Sequence, residues 1–101
     1  MILIYITFPN KKEAKKIGRI LIEKRLAGCV NIFPIGAIYW WQKKVVKEKE
    51  VALIVKTFEK NFGKIEKLVK KMHSYKTPCI LSIPVEKVSK NYLQWIKKET
   101  I

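Results

Sequence analysis

Strand-like and helix-like stretches follow one another along this chain in an order that leaves few folds open. Residues 2–7 are a β-branched and aromatic run closed by Pro9, which reads as a buried strand. Asn10 is a good helix N-cap, with Glu13 three residues on to complete a capping box. Ala14, Ile17, Leu21 and Ile22 then recur at helical spacing up to about Leu26, while Lys12, Lys15, Lys16 and Arg19 take the wet side. Ala27-Gly28 ends this helix, with Gly28 as its left-handed cap. A second strand begins at Cys29–Phe33, breaks at Pro34-Ile35-Gly36 in a bulge or kink, and resumes at Ala37–Trp41. Gln42-Lys43-Lys44 makes a turn, Val45-Val46 starts the return leg, and Glu50–Thr57 is a third strand with an apolar middle. A second helix runs from about Glu59 to Met72, striped by Phe62, Ile65, Leu68, Val69 and Met72 and carrying a Glu66–Lys70 pair. Ile80–Val85 is the fourth strand, and Ser89 caps a short last helix with Tyr92, Leu93, Trp95 and Ile96.

The order β-α-β-β-α-β plus a C-terminal helix is the ferredoxin-like split βαβ layout. It belongs to the α+β class, with an antiparallel sheet and both main helices on one face. At 101 residues, with no linker or repeat, residues 1–101 are expected to form one domain. The sheet face away from the helices should become polar in a monomer. Ile2–Ile6 and Val51–Val55 leave few polar positions for it, and Tyr39, Trp40 and Trp41 in succession send aromatics to both faces. Two readings follow: a homo-oligomer that buries its sheets, or a last helix folded back over the face with Trp95 as its plug.

Composition narrows the chemistry. Net charge is +14, from twenty lysines and only Arg19 and Arg25, against eight glutamates and no aspartate. Specific nucleic-acid readers rely on arginine's planar fork, and the lysines here are dispersed. The charge therefore reads first as a solvated basic surface, and second as nonspecific attraction for polyanions. An RNA-recognition module of this topology needs aromatics and a glycine on its third strand, and Glu50–Val55 has neither. No apolar run approaches the roughly 20 residues of a membrane helix, and the N-terminal run lacks a basic leader. The expectation is a cytoplasmic protein, without membrane contact, whose two cysteines are reduced.

Catalysis is not expected. Ser74, Ser82 and Ser89 lack a nucleophile setting, and Gly18, Gly28, Gly36 and Gly63 form no phosphate loop. No organic cofactor is expected either. The chain's only histidine lies in the segment His73–Cys79, at the helix-to-strand junction. Met72, His73 and Cys79 are soft or borderline donors around one turn and are compatible with copper, although their spacing is no zinc-finger pattern. Structural readings stand beside this one. A histidine ending a helix interacts well with the helix dipole, and Cys29 and Cys79 read as buried core residues.

Taken together, several short segments resemble the CutA divalent-cation tolerance proteins. They are Thr7-Phe8-Pro9-Asn10, Leu26–Ile32, Tyr39–Val45, Lys49-Glu50-Val51, His73–Pro78 and Tyr92–Trp95, spread in order over nearly the whole chain. The resemblance implies a ferredoxin-like fold assembled as a compact homotrimer, architecturally related to the PII signalling proteins. It implies a role in tolerance of divalent metals, with copper or a similar cation bound partly through the region matching Met72-His73. Ile6 stands where copper-binding members carry a thiol, and Met72 where many carry a second histidine. Cys79 replaces a common acidic residue, and Lys43 the usual hairpin glycine. The PII likeness keeps open a second role, a module that binds a small ligand or partner.

Overall fold

The computed structural model describes residues 1–101. Its elements are β1 (Ile2–Phe8), α1 (Lys11–Glu23), β2 (Cys29–Trp41), β3 (Lys44–Thr57), α2 (Phe62–Met72), β4 (Ile80–Pro84) and α3 (Lys90–Glu99). The four strands form an antiparallel sheet in the order β2-β3-β1-β4. Along β1, Ile2, Ile4, Ile6 and Phe8 are buried, and Ile4 and Ile6 stand opposite Val55 and Leu53. That face meets Ala14, Ile17 and Leu21 of α1 and Ile65 and Val69 of α2 in a single core cluster. The α+β, ferredoxin-like order read from the sequence is the order observed.

Several boundaries differ for physical reasons. Helix α1 closes at Glu23, earlier than Leu26, because Leu26 turns inward to the core. The left-handed residue is Arg25 (φ 56°), not Gly28. Arg25 N–H bonds to Ile22 O at 2.9 Å and Leu26 N–H to Leu21 O at 3.0 Å, the paired bonds of a Schellman cap. Gly28 is needed for space instead. A Cβ there would stand 2.6 Å from Ile96 Cγ1 and 3.0 Å from Thr100 Oγ1, so it marks where α3 docks. Asn10 does cap α1, its Oδ1 accepting from Glu13 N–H at 2.9 Å. A 3-10 turn, Glu59–Asn61, precedes α2, and the Glu66–Lys70 pair forms at 3.2 Å. Ser89 makes no side-chain cap on α3.

Strand β2 runs through Pro34–Gly36 without the expected bulge, Pro34 pairing in register with Val51. Because β2 is an edge strand, proline's missing N–H falls on the open side and costs no ladder bond. Gln42 (φ 47°) and Lys43 (φ 66°) link Trp41 to Lys44 as a two-residue turn with both φ values positive, as type I′ requires, although neither is glycine. Only Val51–Thr57 of β3 pairs with β1. The rest of the hairpin therefore extends past the sheet as a two-stranded ribbon, giving principal extents of 46 × 26 × 21 Å.

The second sheet face stays open. Helix α3 is pinned at the β2–β3 corner: Ile96 is buried beside Gly28, Lys56 Nζ lies 5.4 Å from the Tyr92 ring centre, and Arg25 pairs with Glu99 at 3.0 Å. Trp95 is not a plug, being 44% exposed, while Leu81 and Ile83 remain 52% and 45% exposed.

Two substitutions check this reading by thermal and denaturant unfolding. Gly28→Ala is expected to lower stability by about 1–3 kcal/mol, since Ile96 must be displaced. Lys43→Gly is expected to raise it by about 1 kcal/mol by removing the left-handed penalty at the turn.

Candidate functional site

The ends of three elements converge where β1 finishes, α2 stops and the hairpin ribbon leaves the sheet. Helix α2 terminates at Met72, and His73 takes an extended backbone with its N–H still bonded to Val69 O at 2.8 Å. The His73 side chain is fully buried and stacks on Phe8, ring centres 4.6 Å apart and planes within 15°. Its Nε2 lies 2.8 Å from Thr7 O, and its Nδ1 accepts from Tyr75 N–H at 3.0 Å. A carbonyl on one side and an N–H on the other select the neutral tautomer that carries its proton on Nε2. Glu13 does not turn back on Asn10. Its Oε2 accepts from Ser74 N–H at 3.1 Å and stands 3.5 Å from His73 Nδ1.

The three expected donors are not gathered on one cavity. His73 has both ring nitrogens engaged in protein hydrogen bonds, leaving no lone pair free in this arrangement. Met72 is half-buried against the core cluster. Cys79 alone lines an open cleft of about 660 Å³, with Thr7, Tyr39, Trp41, Glu50 and Tyr75 among the other walls. No three His, Cys, Asp or Glu side chains come together at metal-binding separation.

Glu50 is the carboxylate of this cleft and accepts a hydrogen bond from Tyr75 Oη at 2.7 Å. Next along the ribbon, Tyr39 Oη donates to the Glu48 carboxylate. That bond, with desolvation and the charges of Glu48 and Glu50, pushes the Tyr39 phenol up to about 12. Burial raises the Tyr75 phenol further, helped by its bond to Glu50 and by the surrounding negative charge. Burial also pushes the Cys79 thiol up and the Glu50 charge adds to this, while a hydrogen bond with Thr7 opposes it. At neutral pH the cleft therefore presents protonated phenols and a protonated thiol beside Glu50. Sequence reasoning missed Glu50, Tyr39 and Tyr75 as site residues. The available signal was the alternation Lys47-Glu48-Lys49-Glu50, which puts the glutamates on one ribbon face and the lysines on the other.

The family model of the CutA1 divalent ion tolerance protein matches residues 2–99. The chain belongs to this family. The divalent-cation tolerance protein CutA of Archaeoglobus fulgidus is 50% identical over 93 residues, covering 92% of this chain and 91% of that one. A crystal structure of CutA1 from Pyrococcus horikoshii superposes with a TM-score of 0.96 at 37% identity, over 100% of this chain and 99% of the other. A solved A. fulgidus protein, described as a periplasmic divalent cation tolerance protein CutA, gives a TM-score of 0.95 at 48% identity, over 98% of each chain. In this chain no helix is long and apolar enough to cross a membrane.

A raised thiol pKa has a definite sign. The fold favours neutral Cys79, so this contribution to stability is complete below the unfolded thiol's range and is lost as pH rises through the folded value. Peptide-mapped alkylation should therefore modify Cys79 more slowly than a free cysteine peptide at neutral pH, and Glu50→Gln should shift its reactivity profile to lower pH. His73→Ala strips two buried hydrogen bonds and a stacked ring, with an expected loss of about 2–4 kcal/mol in unfolding free energy.

Proposed function

We propose that the protein serves divalent-cation tolerance without catalysis, as a cytoplasmic homotrimer that binds a cation or small ligand. The observation that carries the assembly is the apolar surface left bare on the single chain. Trp40, 74% exposed, lies with Ile38 and Val45 on one face of the ribbon, and Trp41, 61% exposed, lies with Phe33 on the other, which continues into Leu81 and Ile83 of the open sheet face. Covering these seven side chains is worth on the order of 10 kcal/mol, enough to favour self-association. A two-stranded ribbon is also only marginally stable in water, so the hairpin gains its order from neighbouring subunits. The two free cysteines support the cytoplasmic location.

Copper is the cation proposed, met at Cys79; Met72 and His73, the other donors of the segment, stand off the cleft and would join it only by rearrangement. Cys79 is the donor open to the cleft. His73 would have to release Tyr75 N–H to expose Nδ1 to a metal. Because the thiol must give up its proton, apparent affinity should rise with pH. A second reading, a small-ligand site, is favoured by the volume and aromatic walls of the cleft.

Sedimentation velocity should find a trimer, and Trp40→Glu should release monomers with a lower melting temperature; a monomeric wild type would remove the assembly. In anaerobic Cu(I) titrations, Cys79→Ser is expected to weaken binding at least about tenfold, a difference of about 1.4 kcal/mol. Unchanged affinity in both Cys79→Ser and His73→Ala would exclude the copper site.

A further inference from the structure

We propose that the cleft between the hairpin ribbon and the 74–79 loop takes an organic ammonium ion. The proposal rests on the small-ligand reading of this cleft and names its ligand class. Three aromatic side chains, Tyr39, Trp41 and Tyr75, line a space of about 660 Å³, within the usual range for small-molecule sites. Aromatic walls attract cations through the negative faces of their rings, most effectively when part of the ion's water has been stripped away.

The charges of the cleft point the same way. Glu50 is its carboxylate, held by Tyr75 Oη at 2.7 Å, and Glu48 lies behind it in the grip of Tyr39. Each phenol spends its one donor on a carboxylate, so neither has a proton left to offer an anion. The Tyr39 phenol, pushed up to about 12 by its bond to Glu48, stays un-ionised through the physiological range and keeps its ring neutral. On a chain of net charge +14 this ribbon face gathers two carboxylates, with Lys44 opposite Trp41 at its tip, and strand register produces the grouping. Ala37 pairs with Glu48 and Ile35 with Glu50, so both glutamates share the Tyr39 and Trp41 face, while Lys47 and Lys49 are turned to the reverse. The one cation in the lining, Lys76, sits at an exposed position of the loop.

A hard divalent ion fits these walls poorly, because it prefers six or more oxygen ligands, usually several of them carboxylates or carbonyls, and the cleft supplies one carboxylate and otherwise only hydroxyls among its rings. An alkylammonium group needs fewer fixed donors. Its charge is met by Glu50, and its carbon substituents by the rings.

Choline and its neutral isostere 3,3-dimethylbutan-1-ol test the idea on the assembled wild-type protein, by amide and indole NMR shifts at constant ionic strength. Choline is expected to give saturable shifts centred on Tyr39, Trp41, Glu50 and Tyr75, with affinity about tenfold above the alcohol's. Glu50→Gln should erase that preference and leave alcohol binding unchanged. Trp41→Leu, in a variant that sedimentation shows to keep the wild-type assembly, should weaken choline by a similar factor. Equal binding of choline and the alcohol in the cleft would overturn the ammonium assignment while keeping the small-ligand reading. Shifts confined to other surfaces, or no saturation by either probe, would overturn both.

Discussion

The alternate burial of β1 beneath the two helices is the constraint on which the other features rest. Ile2, Ile4, Ile6 and Phe8 all point into the core, together worth on the order of 10 kcal/mol of transfer free energy. A slip of one residue against β3 or β4 would send the whole set to the open face, so the register admits no neighbouring alternative. With that register set, Thr7 must point away from the helices at the last turn of the strand, toward the ribbon. Its side chain becomes a wall of the cleft, while its carbonyl is left for His73.

His73 thus acts as a brace behind the site. It joins the end of β1 to the start of the 74–79 loop, and the stack on Phe8 ties that junction to the core. Glu13 adds a third tether by holding Ser74 N–H from α1. The loop carrying Tyr75 and Cys79 is therefore fixed from both layers of the fold. A lone histidine between a helix and a strand is well suited to this task, since a neutral imidazole offers one donor and one acceptor on opposite edges of a flat ring.

What could be read in the sequence follows the range of the interactions involved. Periodicity placed all four strands and three helices, because alternate and helical burial are written in consecutive residues. Asn10 and the Glu66–Lys70 pair were equally legible as contacts within one turn. Arg25 was not. Its left-handed backbone is imposed by the pull of Leu26 into the core, and Gly28 was the more obvious cap. Gly28 answers instead to Ile96, and Asn61 to the carbonyl of Ile101, at 2.8 Å and forty residues away. The candidate site was legible only in Cys79 and the loop that carries it. Its carboxylate and the rings of Tyr39 and Trp41 come from opposite arms of a ribbon whose full length the apparent break at Pro34 concealed.

That same proline bears on how copies of the chain can meet. A long edge strand with an unbroken row of amides is a template that identical chains can extend without limit, toward fibres. Pro34 removes one donor from the outer row of β2 midway along its length. A strand added there finds a gap that repetition cannot fill. A chain that exposes this many tryptophans and aliphatic side chains is thereby steered from open-ended polymers toward closed assemblies of a few subunits.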